Sequence, residues 1–449
     1  RGVMQNHQLS FSGGHEKTTY YTSLNYFNQE GTISGSEFNR LSMRFNIDQQ
    51  VKSWFKMGLS SNLTRSNQRV SLTNGSDAIV TIATANSPAS PVFDQNGGYA
   101  STVGIGGYTF GNVRNPIALA QAREVRNIQT KGYGNLFGEI SFTKNLSFRS
   151  ELNFDYTVGD NSAFQPFIDN IFSVSKLVEQ RSINTYYGIR NFVNYNQTFG
   201  KHNVTALLGH EFQEGNYDQL DAQRQGLLLN IPVLGAGVEA GQTIGSYLGD
   251  NGLESYFARA GYTYNDKYAL NLSIRRDGSS TFGPNKRIGY FPAASIGWTV
   301  TNENFAKDLK FLDYLKLRAG AGAVGNQNSP SANAYATLIR IVAIAPFGQG
   351  GIPANVGNPD LVWESVKTYN AGADMGFLNK KLEVTIDVYK KETTDMILPS
   401  SLPVYTGIGT EYNDIKAPIV NAGKMTNQGI DIGVTSYNVT TKDFDWKTN

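Results

Sequence analysis

Along residues 268–275 apolar and polar side chains alternate, Tyr268, Leu270, Leu272 and Ile274 against Ala269, Asn271, Ser273 and Arg275. Successive side chains of a strand point to opposite faces, so the pattern predicts a strand with one apolar and one polar face. Turn formers follow at Asp277-Gly278, Ser279, Ser280, Gly283-Pro284 and Asn285. A second strand begins at Tyr290-Phe291 and runs through Ile296 and Trp298. The same period recurs elsewhere. In 38–51, Leu41, Met43, Phe45, Ile47 and Val51 oppose Arg40, Ser42, Arg44, Asn46 and Asp48. In 146–158, Leu146, Phe148, Leu152, Phe154, Tyr156 and Val158 oppose Ser147, Arg149, Glu151, Asn153, Asp155 and Thr157, with only Ser150 out of step. Late in the chain Leu382, Val384, Ile386 and Val388 oppose Glu383, Thr385, Asp387 and Tyr389. Further strands are predicted at 7–12, 18–28, 54–67, 131–143 and 315–319.

Alternation does not choose between a lipid-facing sheet and a soluble sandwich, because both show one apolar face. The connections choose better. Turns at 144–145, 200–202, 265–267 and 379–381 are short, and between them lie connections near 159–180, 217–250, 278–289, 326–364 and 394–424. An early segment, 68–127, exceeds the ~12–15 residues usual for a structureless loop, with one short helix predicted at 117–126. Short turns on one side and long loops on the other are the layout of an outer-membrane barrel. Aromatics agree: Tyr264 and Tyr268 flank a short turn, and Tyr290 and Phe291 stand at the other end of the same region. Rings at both strand ends suit interfacial girdles. The fold expected is all-β, a transmembrane antiparallel β-barrel of the large outer-membrane type, incomplete, with about sixteen strands across 1–449.

Composition supports this. Gly 47, Tyr 24 and Phe 25 against Pro 14 suit a β-rich chain with many turns, and charged residues are 17%, below the roughly 25% of soluble domains. No apolar run approaches the ~20 residues of a membrane helix; residues 338–347 come nearest, interrupted by Arg340 and Pro346. Basic and acidic residues balance at 39 and 37 without a basic block, which argues against nucleic acid as a partner. Cysteine is absent, excluding thiol chemistry and disulfides. Four histidines, His7, His15, His202 and His210, lie scattered without ligand spacing, so no metal site and no cofactor is expected. The chain starts at Arg1 without a charged-then-apolar leader and stops inside a strand-like pattern, so a fragment is expected.

Gly320, Gly322 and Gly325 match the dinucleotide fingerprint G-x-G-x-x-G, but a turn-rich run, Asn326 to Pro330, follows where the fingerprint needs a helix. The polar-face residues Arg149, Glu151, Asp155, Asn271, Glu383 and Asp387 have no histidine beside them in sequence, so they read as the wet lining of a barrel and not as acid–base pairs. No nucleophile–base–orienter set is visible, and an enzyme is not expected. Asn203-Val-Thr205 matches a glycosylation sequon, a chance match if the source is bacterial.

Several segments resemble a known family. Residues 275–298 read RRDGSSTFGPNKRIGYFPAASIGW, with Arg275, Arg276, Asp277, Gly278, Phe282, Gly283, Tyr290 and Phe291 at the matching positions. Residues 315–328 carry a strand ending in G-N-Q at Gly325 and Asn326, and 358–364 carry N-P-x-L-x-W-E ending in Trp363 and Glu364. Weaker pieces lie at 19–31, 48–51 and 427–431. Together, in this order, they resemble the SusC/RagA family of TonB-linked outer-membrane proteins. That resemblance implies a TonB-dependent receptor domain in the outer membrane of a Gram-negative, Bacteroidetes-like bacterium. It implies an N-terminal plug through which TonB is contacted, and closing strands, all outside this chain. It also implies a SusD-like lipoprotein partner and import of nutrients such as oligosaccharides or peptides. A passive porin and a soluble multi-sandwich adhesin remain alternatives.

Overall fold

The computed structural model describes every residue except 1, 72–77, 101–113, 169–170, 307–310, 330–332, 345, 347, 380, 401–402, 404 and 406–414. Parts of the predicted long connections 68–127, 159–180, 326–364 and 394–424, and of the turn 379–381, therefore lie outside the described residues. Strands β1 (Met4–His15), β2 (Thr18–Glu30), β3 (Glu37–Lys52) and β4 (Phe55–Arg69) open the chain. Two short helices follow, α1 (Ile79–Ala85) and α2 (Pro116–Ala122). Next come β5 (Glu124–Ser141), β6 (Leu146–Gln165), β7 (Lys176–Phe199), β8 (His202–Gln225) and β9 (Val238–Tyr264). Then run β10 (Tyr268–Ser279), β11 (Ile288–Thr299), β12 (Leu312–Asn326), β13 (Ile339–Ile344) and β14 (Gly348–Pro353). The chain finishes with β15 (Glu364–Phe377), β16 (Leu382–Thr394), β17 (Ile397–Pro399), β18 (Ile419–Asn421), β19 (Lys424–Thr440) and β20 (Asp445–Thr448). Sixteen strands form one sheet in sequential order, and β13–β14 and β17–β18 are separate two-stranded ladders. The expected sixteen-stranded antiparallel sheet is what the chain forms.

Two compact units divide the chain: residues 1–138, 151–188 and 215–250 in the first, 139–150, 189–214 and 251–449 in the second. In the first, register sets Leu9 opposite Leu24, Leu24 opposite Met43 and Met43 opposite Leu63, a row of apolar side chains on one face. The other face is knitted by side-chain hydrogen bonds, Asn25 Nδ2 to Asn6 Oδ1 at 2.6 Å among them. The interior of this unit is small: Ile82 of α1, Ala118 and Leu119 of α2, and Ile171 and Phe172 of the β6–β7 connection. Asn115 caps α2, its Oδ1 accepting from the Ile117 and Ala118 amides at 3.0 and 3.2 Å, with Pro116 in the first turn. The helix ends at Ala122, short of the predicted 126, because Glu124 onward joins the sheet. Helix α1, written Ile-Val-Thr-Ile-Ala-Thr-Ala without a capping side chain, gives no sequence signal and exists by packing on α2.

The segment 217–250 departs from expectation. It reads as a connection because of its Gly, Asp and Asn content, yet β8 continues to Gln225 and β9 begins at Val238. Cross-strand contacts outweigh the turn formers there: Tyr217 and Tyr247 meet at 5.8 Å, and Arg224 donates to Gln242 at 3.0 Å.

In the second unit Leu270, Leu272 and Ile274 of β10 share a face with Ile296 and Pro292 of β11, the register pairing Leu270 with Ile296 and Ile274 with Pro292. Their polar neighbours occupy the reverse face. The turn Asn265-Asp266 has both φ angles positive, 52° and 55°, which Asn and Asp tolerate and a tight hairpin needs. One turn breaks the short–long rhythm: β11 to β12, on the short side, uses two 3₁₀ turns at Val300–Asn302 and Asn304–Ala306. The glycines 320, 322 and 325 lie inside β12, which runs to Asn326, where the turn-rich run was predicted to begin, so no helix N-terminus is available for a nucleotide.

Candidate functional site

The polar face of the second unit is organised by charge. Glu211 of β8 is almost fully enclosed, its side chain 5% exposed, and it lies between two arginines. Arg190 donates to Oε1 from Nη2 at 2.7 Å, and Arg275 donates to Oε2 from Nη2 at 3.1 Å. Arg275 also donates Nε to Asp277 Oδ1 at 2.6 Å and Nη2 to Ser255 Oγ at 2.7 Å, and its guanidinium stacks over Phe257. A carboxylate held by charge-assisted hydrogen bonds from two guanidinium groups is a strong contact.

A second group lies further along. Arg318 of β12 stands opposite Gly372 of β15, and Gly372 stands opposite Asp387 of β16. Arg318 reaches over the glycine to Asp387 at 2.6 Å and bonds Asp374 through Nε at 3.2 Å. A Cβ on Gly372 would come within 2.5 Å of Asp387 Oδ1, so the missing side chain is what lets the guanidinium cross.

At the long-loop end the segments singled out in sequence converge. Phe282, wholly buried, packs on the Trp363 ring at 5.1 Å, and Trp363 meets Phe291 edge-on at 5.4 Å. Phe291 in turn covers Gly325, where a Cβ would sit 2.0 Å from its ring. Trp363 Nε1 donates to the Arg287 carbonyl at 2.9 Å, and Asn326 donates to Glu364 Oε1 at 3.2 Å. Glu364 Oε2 accepts from the Ile397 amide at 3.3 Å, and Asn421 exchanges two 2.8 Å bonds with the Val362 backbone. Gly283 lies against the Pro359 carbonyl. Together with Ala334, Leu361, Ile397 and Ile419 this forms a packed plug of loop bases. Arg276, Gly278 and Tyr290 lie outside it: Arg276 and Tyr290 share a rung with Tyr256 on the apolar face.

Of the residues predicted to line the wet face, Asp387 joins the Arg318 group, Arg149 faces Glu139 at 3.4 Å, and Asp155 pairs with Lys131 at 2.7 Å. Asn271 stands opposite Ser295, and Glu383 opposite Gly376 and Thr435, outside both charge networks. Glu151 lies on β6, in the first unit. Sequence reasoning missed Glu211, Arg190, Arg318, Asp374 and Gly372. Their alternation marks them as polar-face residues, but only the register brings partners 56 and 69 positions apart together. Among the described residues no group of His, Asp and Glu is placed to hold a metal ion.

The family model described as TonB dependent receptor-like, beta-barrel, matches residues 85–449. The chain is 30% identical to the TonB-dependent receptor P3 of Formosa agariphila, an alignment covering 100% of this chain and 45% of that protein. It is 27% identical to the TonB-dependent receptor SusC of Bacteroides thetaiotaomicron, covering 99% and 46%. Among solved structures the RagAB peptide transporter superposes with a TM-score of 0.86 at 25% identity, covering 98% of this chain and 49% of that one. The siderophore receptor PirA of Pseudomonas aeruginosa, at 12% identity and TM-score 0.57, shares the fold. The chain spans about half the length of the curated relatives it matches.

Proposed function

The chain belongs to the TonB dependent receptor-like β-barrel family of the bacterial outer membrane, and from that premise we propose that it forms wall and outer mouth of a SusC/RagA-type importer. The observation that carries this reading is an inversion of burial. Leu272, Ile274 and Ile432 are 47%, 49% and 67% exposed, while Glu211 on the opposite face is closed in. A soluble protein rarely leaves so much contiguous apolar surface to water, whereas a membrane strand turns its apolar side to lipid and its polar side to the lumen. On this reading Arg149, Glu151, Asp155, Asn271, Glu383 and Asp387 line the lumen, together with Arg190, Glu211, Arg275 and Arg318. On this reading the whole of 1–449 belongs to one partial barrel domain of a transporter that TonB energises.

The packed loop bases support the second part of the proposal. Phe282, Trp363 and Phe291 fix the roots of the β10–β11, β12–β15 and β16–β19 connections, and these fixed roots support docking of a SusD-like lipoprotein lid at that end. Stable partners typically bury ~1,200–2,000 Å², which bare hairpin tips do not offer. The cargo is an oligosaccharide or a peptide, the latter by likeness to the RagAB peptide transporter. The test is gentle purification of the intact transporter from its native membrane, with uptake measured before and after collapse of the proton gradient. A copurifying lipoprotein and gradient-dependent uptake are expected. Uptake that ignores the gradient, with no lipoprotein retained, establishes a passive porin instead, and solubility without detergent establishes an adhesin.

A further inference from the structure

We propose that the apolar face of the second unit binds an acylated lipid whose phosphate headgroup carries a net negative charge, seated in a groove whose outer end is edged by cations. The inference rests on the membrane-spanning reading above. The two aromatic rows of this face set its depth. At the short-turn end Tyr264, Tyr268 and Trp298 share a rung and stack at 6.5 and 6.4 Å. At the other end Tyr256, Arg276 and Tyr290 share a rung. Eight residues of β10 separate Tyr268 from Arg276. At ~3.4 Å per residue and a tilt of ~40° that is about 20 Å, close to the ~25 Å apolar band of such barrels. Arg276 therefore stands at the outer-leaflet interface, where headgroups lie.

Between these rows lies a groove of about 780 Å³, within the ~300–1,000 Å³ of ligand sites. Leu208, Leu272, Ile274 and Tyr369 wall it, and Ala258 and Ala294 leave its floor shallow. Its walls are apolar and suit acyl chains. Its outer end is basic. Lys367, exposed, lines the groove and stands opposite Ala323. Arg276 lies two residues beyond Ile274 on the same face, its guanidinium over the Tyr256 ring at 5.6 Å. Two acids belong to this edge, and both are engaged by neighbours. Glu254 accepts from Tyr256 at 2.9 Å and meets His210 at 3.2 Å, and Glu392 pairs with Lys390 at 2.8 Å. Arg276 and Lys367 form no ion pair with a carboxylate among the described residues; Glu392 stands opposite Lys367 in the register and Glu254 lies in the field of Arg276, so each cation is balanced only in part and keeps its donors toward the leaflet. Apolar walls ending in two cations at headgroup depth complement an anionic lipid. They do not complement a zwitterionic one, nor the like face of a second copy, which would set the same cations together.

The experiment is native mass spectrometry of the intact transporter in detergent, titrated with phosphatidylglycerol, with phosphatidylcholine of the same chains, and with inorganic phosphate. Phosphatidylglycerol is expected to be retained under activation that strips phosphatidylcholine, and phosphate alone is expected not to be retained. Arg276→Ala and Lys367→Ala should each lower that retention about fivefold, the effect of one interfacial cation. Ala294→Trp, which fills the groove and keeps both cations, should abolish it. Retained β-sheet signal and heat-modifiable migration show that each variant is folded. Equal retention of the two lipids, phosphate held as well as the lipid, or indifference to all three substitutions overturns the proposal, as does a second copy covering the groove. The readout is lipid retention and not uptake, so failure here leaves the importer reading standing, and failure of gradient-dependent uptake leaves this site standing.

Discussion

Glu303 lies in the connection after β11, and three side chains of the short-turn girdle converge on it. Lys267 donates to Oε2 at 2.7 Å, Tyr268 to Oε1 at 2.6 Å, and Trp298 to Oε1 at 3.4 Å. The Lys267 hydrogen bond, then that of Tyr268, holds the carboxyl below its ordinary value of 4.5. A depressed acid contributes stability that is complete above the unfolded value and is lost as pH falls through the lower, folded one. The girdle should therefore stay closed at neutral pH and loosen only in acid, below 4.5. Emission of Trp298, stacked on Tyr268, reports this. An acid transition is expected in the native protein, and Glu303→Gln should show the acid form's spectrum at neutral pH and no transition. A variant with the native titration would remove Glu303 from this role. The neighbouring arginines of the Arg275-Arg276 pair show the same economy of position: alternate faces of one strand send Arg275 into the Glu211 network and Arg276 to the girdle.

Between strands, small residues decide which long ones can meet. Tyr389 covers Gly429 opposite it, Tyr20 covers Gly13, and Arg318 crosses Gly372 to Asp387. Glycine weakens a strand taken alone, and a neighbour's ring or guanidinium fills the space it leaves. Gly372→Val would place methyl groups on Asp387 Oδ1 and separate the ion group, with an expected loss of about 2 kcal/mol or more in urea unfolding from micelles. Asp387→Asn should cost a similar amount. Because both changes break one group, the double variant should fall well short of the sum, and an additive result would show that the glycine acts independently. This coupling marks where sequence reading stops. Strand faces were legible because a period of two survives in each strand, as in 146–158 and 382–389. Long loops were legible by their Gly, Pro and Asn content at 278–289, and misleading at 217–250, where pairing of β8 with β9 overrode the same composition. Charge groups were half legible: Asp387 stood out on its face, but Arg318, Asp374 and Glu211 acquire partners only through register, which one sequence does not disclose.

For the molecule as a whole, the proposed membrane reading gives the sheet of each unit two faces with opposite solvents, and that proposal makes the sharpest demand on experiment. On the apolar side Leu152 and Phe154 of β6, and Leu270 and Ile432 of β10 and β19, are exposed. On the reverse side lie Asp155, paired to Lys131, and Asn271 and Glu383. Arginine at a lipid-facing midplane site costs ~2–4 kcal/mol, falling to ~0–1 near the interfaces, whereas a lumen-facing substitution mainly tunes passage. Leu272 is four residues from the Tyr268 girdle and four from Arg276, which sets it near the midplane, and Leu270 lies closer to the short-turn interface. Arginine scanning of the intact transporter should therefore produce a gradient: the largest loss of folded protein in the membrane at Leu272, a smaller one at Leu270, and little at Asn271 between them. Urea unfolding in lipid vesicles reads the stability, and uptake reads the lumenal changes. A soluble sandwich would instead penalise Leu270 and Leu272 alike as core positions and would show no dependence on depth. Equal tolerance at all three positions would leave neither face in lipid, and with it would go the membrane wall on which both the importer and the lipid groove depend.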